Sequence, residues 1–133
     1  MLMARLEPRL RERFPELRTF YSSERPNSLV IPAKHPEFGD IEIDDDGNEL
    51  TMFIGKFTHC HLDGYGESSS EDQRADIAVE RAVDLLDRIF RDQIVCWGSN
   101  QASGGFFDRE ARSESARQPE GPLYVWSGPY GAA

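Results

Sequence analysis

The sequence predicts an α+β fold in which one long helix covers an antiparallel β-sheet of five or six strands. Three features predict it: a β-rich run at 48–62, an amphipathic helical pattern at 70–91, and several short apolar runs between turn residues. Consecutive strands with short links pair antiparallel, and an amphipathic helix buries its apolar stripe against such a sheet. At 133 residues, we expect one domain, 1–133.

A helical arm at 1–22 is predicted to lead into the sheet. Leu6, Leu10 and Phe14 recur at four-residue steps, which favours an amphipathic helix. Proline is tolerated in a first turn, so Pro8 predicts a helix that begins near Glu7. The arm holds five arginines between residues 5 and 18, and both docking on an acidic sheet and simple exposure are compatible with that charge.

Residues 28–31 predict a short strand, and 39–43 predict a second one that enters a hairpin through an Asp-Gly turn at 44–48. The run at 48–62 is rich in β-branched and aromatic residues and predicts one long central strand. Gly55 within it marks a bulge or a close backbone approach. Alternation places Met52 and Ile54 on one face and Phe53, His59 and His61 on the other.

The segment after this strand predicts the long helix, from Ser70 to Arg91. Ser70 and Gln73 fit a capping box, and acidic residues follow in the first turn, where the helix dipole favours them. The apolar stripe repeats at three- and four-residue steps and comprises Ile77, Ala78, Ala82, Leu85, Leu86 and Ile89.

Strands are predicted again at 93–97, from residue 106, and at 123–126. Between the last two, the charged segment 109–121 lacks aromatic residues and ends in Pro-Glu-Gly, with Pro122 next, which predicts a flexible loop. Residues 127–133 form a predicted tail rich in glycine and proline.

The charge of the chain indicates its class of partner. The net charge is −9, and residues 37–72 carry eleven acidic side chains against one lysine. Nucleic acids and anionic membranes bind basic surfaces, so we expect neither as a partner. A basic protein partner remains, with Asp44, Asp45 and Asp46 as acidic contacts, although an acidic surface can also serve solubility alone. Trp126 and Tyr130 are expected at a protein interface. One such interface would be that of a homodimer that pairs through an edge strand.

Two cysteines do not make the disulfide framework of a secreted protein, and we expect a cytoplasmic bacterial protein with reduced thiols. No apolar run approaches the length of about 20 residues that spans a bilayer, and the first residues lack the apolar core of a signal peptide.

One constellation could carry metal chemistry. His59 and His61 are two residues apart and so share a strand face, with Asp63 next along it; imidazole and carboxylate are zinc ligands. The alternative is a structural pair that hydrogen-bonds nearby groups. The chain lacks the phosphate-binding and dinucleotide-binding glycine motifs, and we predict no cofactor.

The pattern from Asp45 to Thr51, then Ile54-Gly55, then Thr-His-Cys-His at 58–61, a helix, and Ile-Val-Cys-Trp at 94–97 resembles small bacterial α+β domains, some of which are immunity proteins of toxin systems. The resemblance covers residues 39–107 and implies a non-catalytic binding protein that neutralises a basic partner through its acidic surface. Two alternatives stand beside it. One is an acidic dimer similar to type III secretion chaperones, although that family ends in a helix; the other is a metal-dependent hydrolase that uses His59 and His61.

Overall fold

The computed structural model of the chain describes residues 2–64, 66, 70–98, 104–110, 119 and 121–131. The α+β class and the antiparallel pairing are confirmed, with two helices and two sheets in the described residues. In chain order the elements are α1 Leu2–Arg13, β1 Phe20–Tyr21, β2 Ser28–Ile31, β3 Ile41–Asp45, β4 Leu50–Ile54, β5 Thr58–Leu62, α2 Glu71–Phe90, β6 Ile94–Trp97, β7 Gly105–Asp108, β8 Leu123–Val125 and β9 Gly128–Tyr130. The single sheet of five or six strands is therefore replaced by sheets of five and four strands, ordered β1-β2-β3-β4-β5 and β7-β6-β8-β9.

The expected long strand at 48–62 is wrong, because the chain turns back at residues 55–57 and forms a hairpin of β4 and β5. Gly55 makes this turn with φ of +55°, a conformation that costs glycine little. The close backbone approach that the sequence predicts at Gly55 is confirmed, since a Cβ atom there would meet the backbone of Phe38. The predicted hairpin of β3 and β4 is also confirmed, with Ile43 opposite Met52.

Helix α1 begins at Leu2 rather than near Glu7, and it keeps Pro8 in its interior. The packing of the helix explains the difference, because its apolar residues Leu2, Met3, Leu6 and Leu10 are all buried in the main core. Their burial offsets the missing backbone hydrogen bond of proline. Part of the predicted arm is thus a docked helix.

Three arginines of α1, Arg5, Arg9 and Arg13, bind acidic residues of α2 rather than a sheet. Arg5 binds Asp76 at 2.8 Å, and Arg9 binds Glu80 through two hydrogen bonds of 2.6 and 2.8 Å. Each pair joins residues about seventy positions apart, so charge and apolar burial together align the two helices. The Arg9 guanidinium also lowers the pKa of the Glu80 carboxyl below its usual range.

Helix α2 confirms the local prediction almost residue by residue. Ser70 is the N-cap, and its hydroxyl accepts the backbone N–H of Gln73 at 3.4 Å. The apolar stripe faces β4 and β5 and lies within the main core, apart from Ile77, which is half-buried. The strands predicted after the helix form the second sheet, in which Cys96 lies opposite Phe106 on one side and Tyr124 on the other.

The two sheets meet through aromatic rings. Phe57 stacks on Tyr124 with ring centroids 5.2 Å apart, and Phe38 meets Trp126 edge-on at 5.3 Å. Strand β9 occupies Gly128–Tyr130 within the predicted tail. The flexible loop predicted at 109–121 lies outside the described residues, apart from residues 109, 110, 119 and 121.

Candidate functional site

The five-stranded sheet has a core face and an open face. Strands β3 and β4 alternate strictly between buried and half-buried residues, and the buried ones, such as Ile43 and Met52, belong to the core that includes both helices. The opposite face carries a row across all five strands: Phe20, Val30, Glu42, Phe53 and His59. This open face holds three of the eight residues that the sequence singles out: Asp44, His59 and His61.

The two histidines of β5 lie side by side on the open face, as the sequence predicts. Their ring centroids are 5.1 Å apart, and the rings are perpendicular. Nδ1 of His61 lies 2.8 Å from Oε1 of Glu49. A carboxylate accepts hydrogen bonds, so Nδ1 of His61 is the donor in this contact. His59 is exposed and contacts the ring of Phe53, 5.7 Å away.

The geometry of this pair is short of a complete metal site. Strand β5 ends at Leu62, and the backbone oxygen of Asp63 accepts a hydrogen bond from Arg81 of α2 at 2.7 Å. Within the described ranges, no three histidine, cysteine, aspartate or glutamate side chains are grouped so as to hold a metal ion. Zinc in proteins takes three or four protein ligands. Metal binding by His59, His61 and Asp63 stays a prediction.

The three consecutive aspartates point in different directions. Asp44 is half-buried on the open face, where it accepts the hydroxyl of Ser28 at 2.6 Å. Asp45 points to the other side, is 6% exposed, and accepts the backbone N–H of Met3 at 2.8 Å. Asp46 is exposed in the turn. Two of the three carboxylates thus hold the fold together, and a partner can reach Asp46 most easily.

Asp46 also has a shifted pKa. Its carboxylate accepts the backbone N–H groups of Glu49 and Asn48, each at 2.8 Å. These bonds, with a smaller contribution from the charge of His61, lower the pKa of Asp46. Asp46 therefore keeps its negative charge to more acidic pH than a free aspartate.

The two aromatic residues predicted at an interface, Trp126 in the turn between β8 and β9 and Tyr130 in β9, lie away from the open face. Trp126 is 6% exposed and packs between Phe38 and Phe90, so its ring is core rather than surface. Tyr130 is half-buried, with the guanidinium of Arg109 5.0 Å from its ring centroid. The structure does not bring this pair together with the acidic residues.

Three residues of the open face are not identified from the sequence: Arg25, Phe20 and Glu42. Arg25 binds both Glu42 and Asp44, and its guanidinium lies 5.6 Å from the ring centroid of Phe53. Phe20 has 53% of its surface exposed, one of two large hydrophobic residues so exposed in the described residues. Alternation along β3 could have predicted that Glu42 and Asp44 share a face. No local pattern predicts which strand the side chain of Arg25 contacts.

The cysteine thiols offer little to nucleophilic chemistry. Burial raises the pKa of Cys60, on the core face of β5, and raises that of Cys96 to about 12. A nucleophilic cysteine needs the opposite shift, because the thiolate is the reactive form.

Neither helix in the described ranges has the length and apolar character that a bilayer crossing demands. Comparison of the chain with protein-family models, with curated proteins and with solved structures finds no match.

Proposed function

We propose that this chain is a non-catalytic binding domain that holds a basic partner protein on the open face of its five-stranded sheet. The observation that carries the proposal is the composition of this face: Phe20 and Phe53 lie on one row with Glu42 between them and further carboxylates beside it, on the side of the sheet opposite to both helices. An inhibitor or immunity protein is the kind of binding protein that such a surface suits.

The charge of the open face favours a basic partner. Glu42, Asp44, Asp46 and Glu49 lie on the face or at its hairpin end, and Arg25 is the guanidinium that binds two of them. The carboxylates therefore outnumber the cations there, in line with the net charge of −9. Charges of opposite sign across an interface speed association and select partners.

The aromatic rings supply the anchor. Phe53 is half-buried between Arg25 and His59, so its ring is held in place before a partner arrives. Phe20 lies on the same row, at the far edge of the sheet, and is exposed. Interfaces concentrate their binding energy in a few aromatic residues surrounded by polar contacts, and the open face has this arrangement.

The experiment uses the proteins encoded by the neighbouring genes, each purified and titrated into this chain by calorimetry. A basic protein among them should bind, and Phe53→Ser should weaken it by about 30-fold or more, since truncation of an anchor costs about 2 kcal/mol or more. Glu42→Lys should slow association and flatten its salt dependence. Glu71→Lys, which makes the same charge change on α2, is the control and should change binding little.

The proposal fails if no neighbouring protein binds. It also fails if Phe53→Ser and Glu42→Lys bind as well as the unaltered chain while both keep its unfolding midpoint. Equal losses in Glu42→Lys and Glu71→Lys would mean that only total charge matters and that the open face has no special part.

A further inference from the structure

One arginine of this chain lies across the middle of the open face. Arg25 belongs to the turn between β1 and β2, and its guanidinium binds the carboxylate of Glu42 and, at 3.2 Å, that of Asp44. The same guanidinium lies over the ring of Phe53, 5.6 Å from the ring centroid. We name the three side chains that hold it, Glu42, Asp44 and Phe53, the guanidinium cage. Half of the Arg25 side chain is exposed, so the cage is open to solvent.

The sheet builds this cage without the help of Arg25. Alternation along β3 puts Glu42 and Asp44 on one face, and Phe53 of β4 lies directly opposite Glu42. Ser28 of β2 donates its hydroxyl to Oδ1 of Asp44 at 2.6 Å, while Oδ2 of the same carboxylate receives the guanidinium. Removal of the Arg25 side chain would therefore leave two carboxylates, one of them already oriented, beside an aromatic ring.

The charges around the cage favour a cation as its occupant. The cage lies on two neighbouring rows of the sheet: Val30, Glu42, Phe53 and His59 on one, and Ser28, Asp44, Thr51 and His61 on the other. Neither row contains a lysine or an arginine, and Arg25 reaches them from the turn. Without Arg25, the two rows keep two carboxylates and lose their guanidinium.

The shape of the cage favours a guanidinium over an ammonium. A guanidinium offers several N–H donors in a planar fork, so it can bind two carboxylates at once while its flat face lies on an aromatic ring. Such a contact between a cation and a ring forms within about 6 Å of the ring centroid, which is the geometry of Arg25 and Phe53. A lysine ammonium is a compact charge without a face to stack.

We propose that Arg25 occupies, in the free chain, the site that an arginine side chain of the basic partner takes in the complex. The inference rests on the proposed function and adds to it the chemistry of the group that the open face recognises. The backbone N–H of Arg25 donates to the hydroxyl of Ser22 at 3.3 Å, so the side chain can leave while the turn stays in place. An exposed ion pair shifts an equilibrium by about fivefold or less, and a partner with further contacts can therefore displace Arg25.

The probe is N-acetyl-arginine methylamide, titrated into the whole chain and followed by amide NMR at pH 8, where a free imidazole is neutral. The corresponding lysine compound, at the same concentrations, matches the ionic strength. In Arg25→Gln we expect shifts at Glu42, Asp44 and Phe53 that follow one binding curve. The unaltered chain should bind the arginine probe about fivefold more weakly, because its own guanidinium competes for the cage. The lysine probe should bind Arg25→Gln more weakly than the arginine probe does.

Further variants separate the cage from the net charge. Arg91 is the matched control, because its side chain is 56% exposed and binds a carboxylate, that of Asp87, but it lies beside α2. Arg91→Gln should bind the arginine probe as weakly as the unaltered chain. Addition of Phe53→Leu to Arg25→Gln keeps an apolar side chain and removes the ring, and it should weaken the arginine probe by about two- to fivefold, the range of an exposed contact between a cation and a ring.

The inference is overturned if the arginine probe does not shift the cage residues in Arg25→Gln, if the lysine probe binds that variant equally well, or if Arg91→Gln strengthens binding as much. An Arg25→Gln chain that loses stability and binds no probe would mean that Arg25 serves the fold alone. The outcomes also separate the two proposals. A neighbouring protein that needs Phe53 but binds Arg25→Gln no more tightly than the unaltered chain leaves the proposed function standing without the guanidinium site. Arginine binding by Arg25→Gln, with no neighbouring protein bound, does the reverse.

Discussion

Replacement of Gly55 by alanine tests the close packing at the hairpin turn. Gly55 has φ of +55°, and alanine in this left-handed region costs about 1–2 kcal/mol. The added Cβ would also lie closer than 3.0 Å to the carbonyl oxygen of Phe38 and 3.1 Å from its carbonyl carbon. Phe38 is fully buried between Phe57 and Trp126, at 5.4 and 5.3 Å, so it cannot move without disturbing the core.

Forcing extra volume into a packed core costs about 1–3 kcal/mol. With the backbone cost, we expect Gly55→Ala to lower the free energy of unfolding by about 2–5 kcal/mol. Gly47→Ala is the matched control, because Gly47 has φ of +94° and an added methyl group would find nothing within 4 Å. It should show the backbone cost alone, about 1–2 kcal/mol.

Equilibrium urea unfolding, followed by tryptophan fluorescence, measures both variants against the unaltered chain. The reasoning is refuted if Gly55→Ala is no less stable than Gly47→Ala. A change in the denaturant slope would instead indicate an altered unfolded state.

Three further predictions concern other contacts. Arg9 lowers the pKa of Glu80, so the pair stabilises the folded chain above the unfolded-state pKa of about 4.3, and this stabilisation is lost as the pH falls through the folded-state pKa. Urea titrations should show that Arg9→Met lowers the free energy of unfolding at pH 7 and lowers it less near pH 2. An equal loss at both pH values would contradict this. Asp92 has φ of +60° and accepts the backbone N–H and hydroxyl of Ser127 at 3.1 and 2.5 Å. Asp92→Ala should therefore cost about 1–3 kcal/mol in thermal unfolding and Asp92→Asn less. Equal costs would refute the role of these two hydrogen bonds. Burial raises the pKa of Cys96 to about 12, so a thiol reagent at pH 8 should leave it unmodified in the folded chain by mass spectrometry and react after unfolding; rapid native labelling would contradict its burial.

Helix α2 could be predicted because its determinants are local. The Ser70 cap, the acidic first turn and the apolar stripe all lie within one segment, and each favours a helix independently of the rest of the chain. The pairing of the histidines on one exposed face was predictable for the same reason, because it depends only on a spacing of two within a strand.

The turn between β4 and β5 could not be predicted from the alternation of apolar and polar residues. Leu50 pairs with Leu62 and Ile54 with Thr58, so even-numbered residues face the core before and after the turn. The alternating pattern therefore continues through residues 55–57 as though the strand were unbroken. Phe57 departs from this pattern, because it is an odd-numbered residue that is buried at the turn. A large apolar residue at this position was the feature of the sequence that could have indicated a turn.

Other features depend on contacts between distant residues. Alternation along β3 places Asp45 on the core side, but its carboxylate is satisfied there by the backbone N–H of Met3, 42 positions away. Pro8 stays inside α1 because the helix is held along α2 by pairs such as Arg9 with Glu80. A periodic pattern carries no information about which distant segment supplies the partner, so neither could be read from the local sequence.

The three-residue turn restricts how the length of this chain can change. A slip of one residue in the pairing of β5 with β4 would turn every side chain of β5 to the opposite side. His59 and His61 would then enter the hydrophobic interior, and Leu62 would be left in water. Insertions at 55–57 should therefore preserve the fold only where the loop absorbs them and Thr58 stays opposite Ile54, which directed insertion libraries can check.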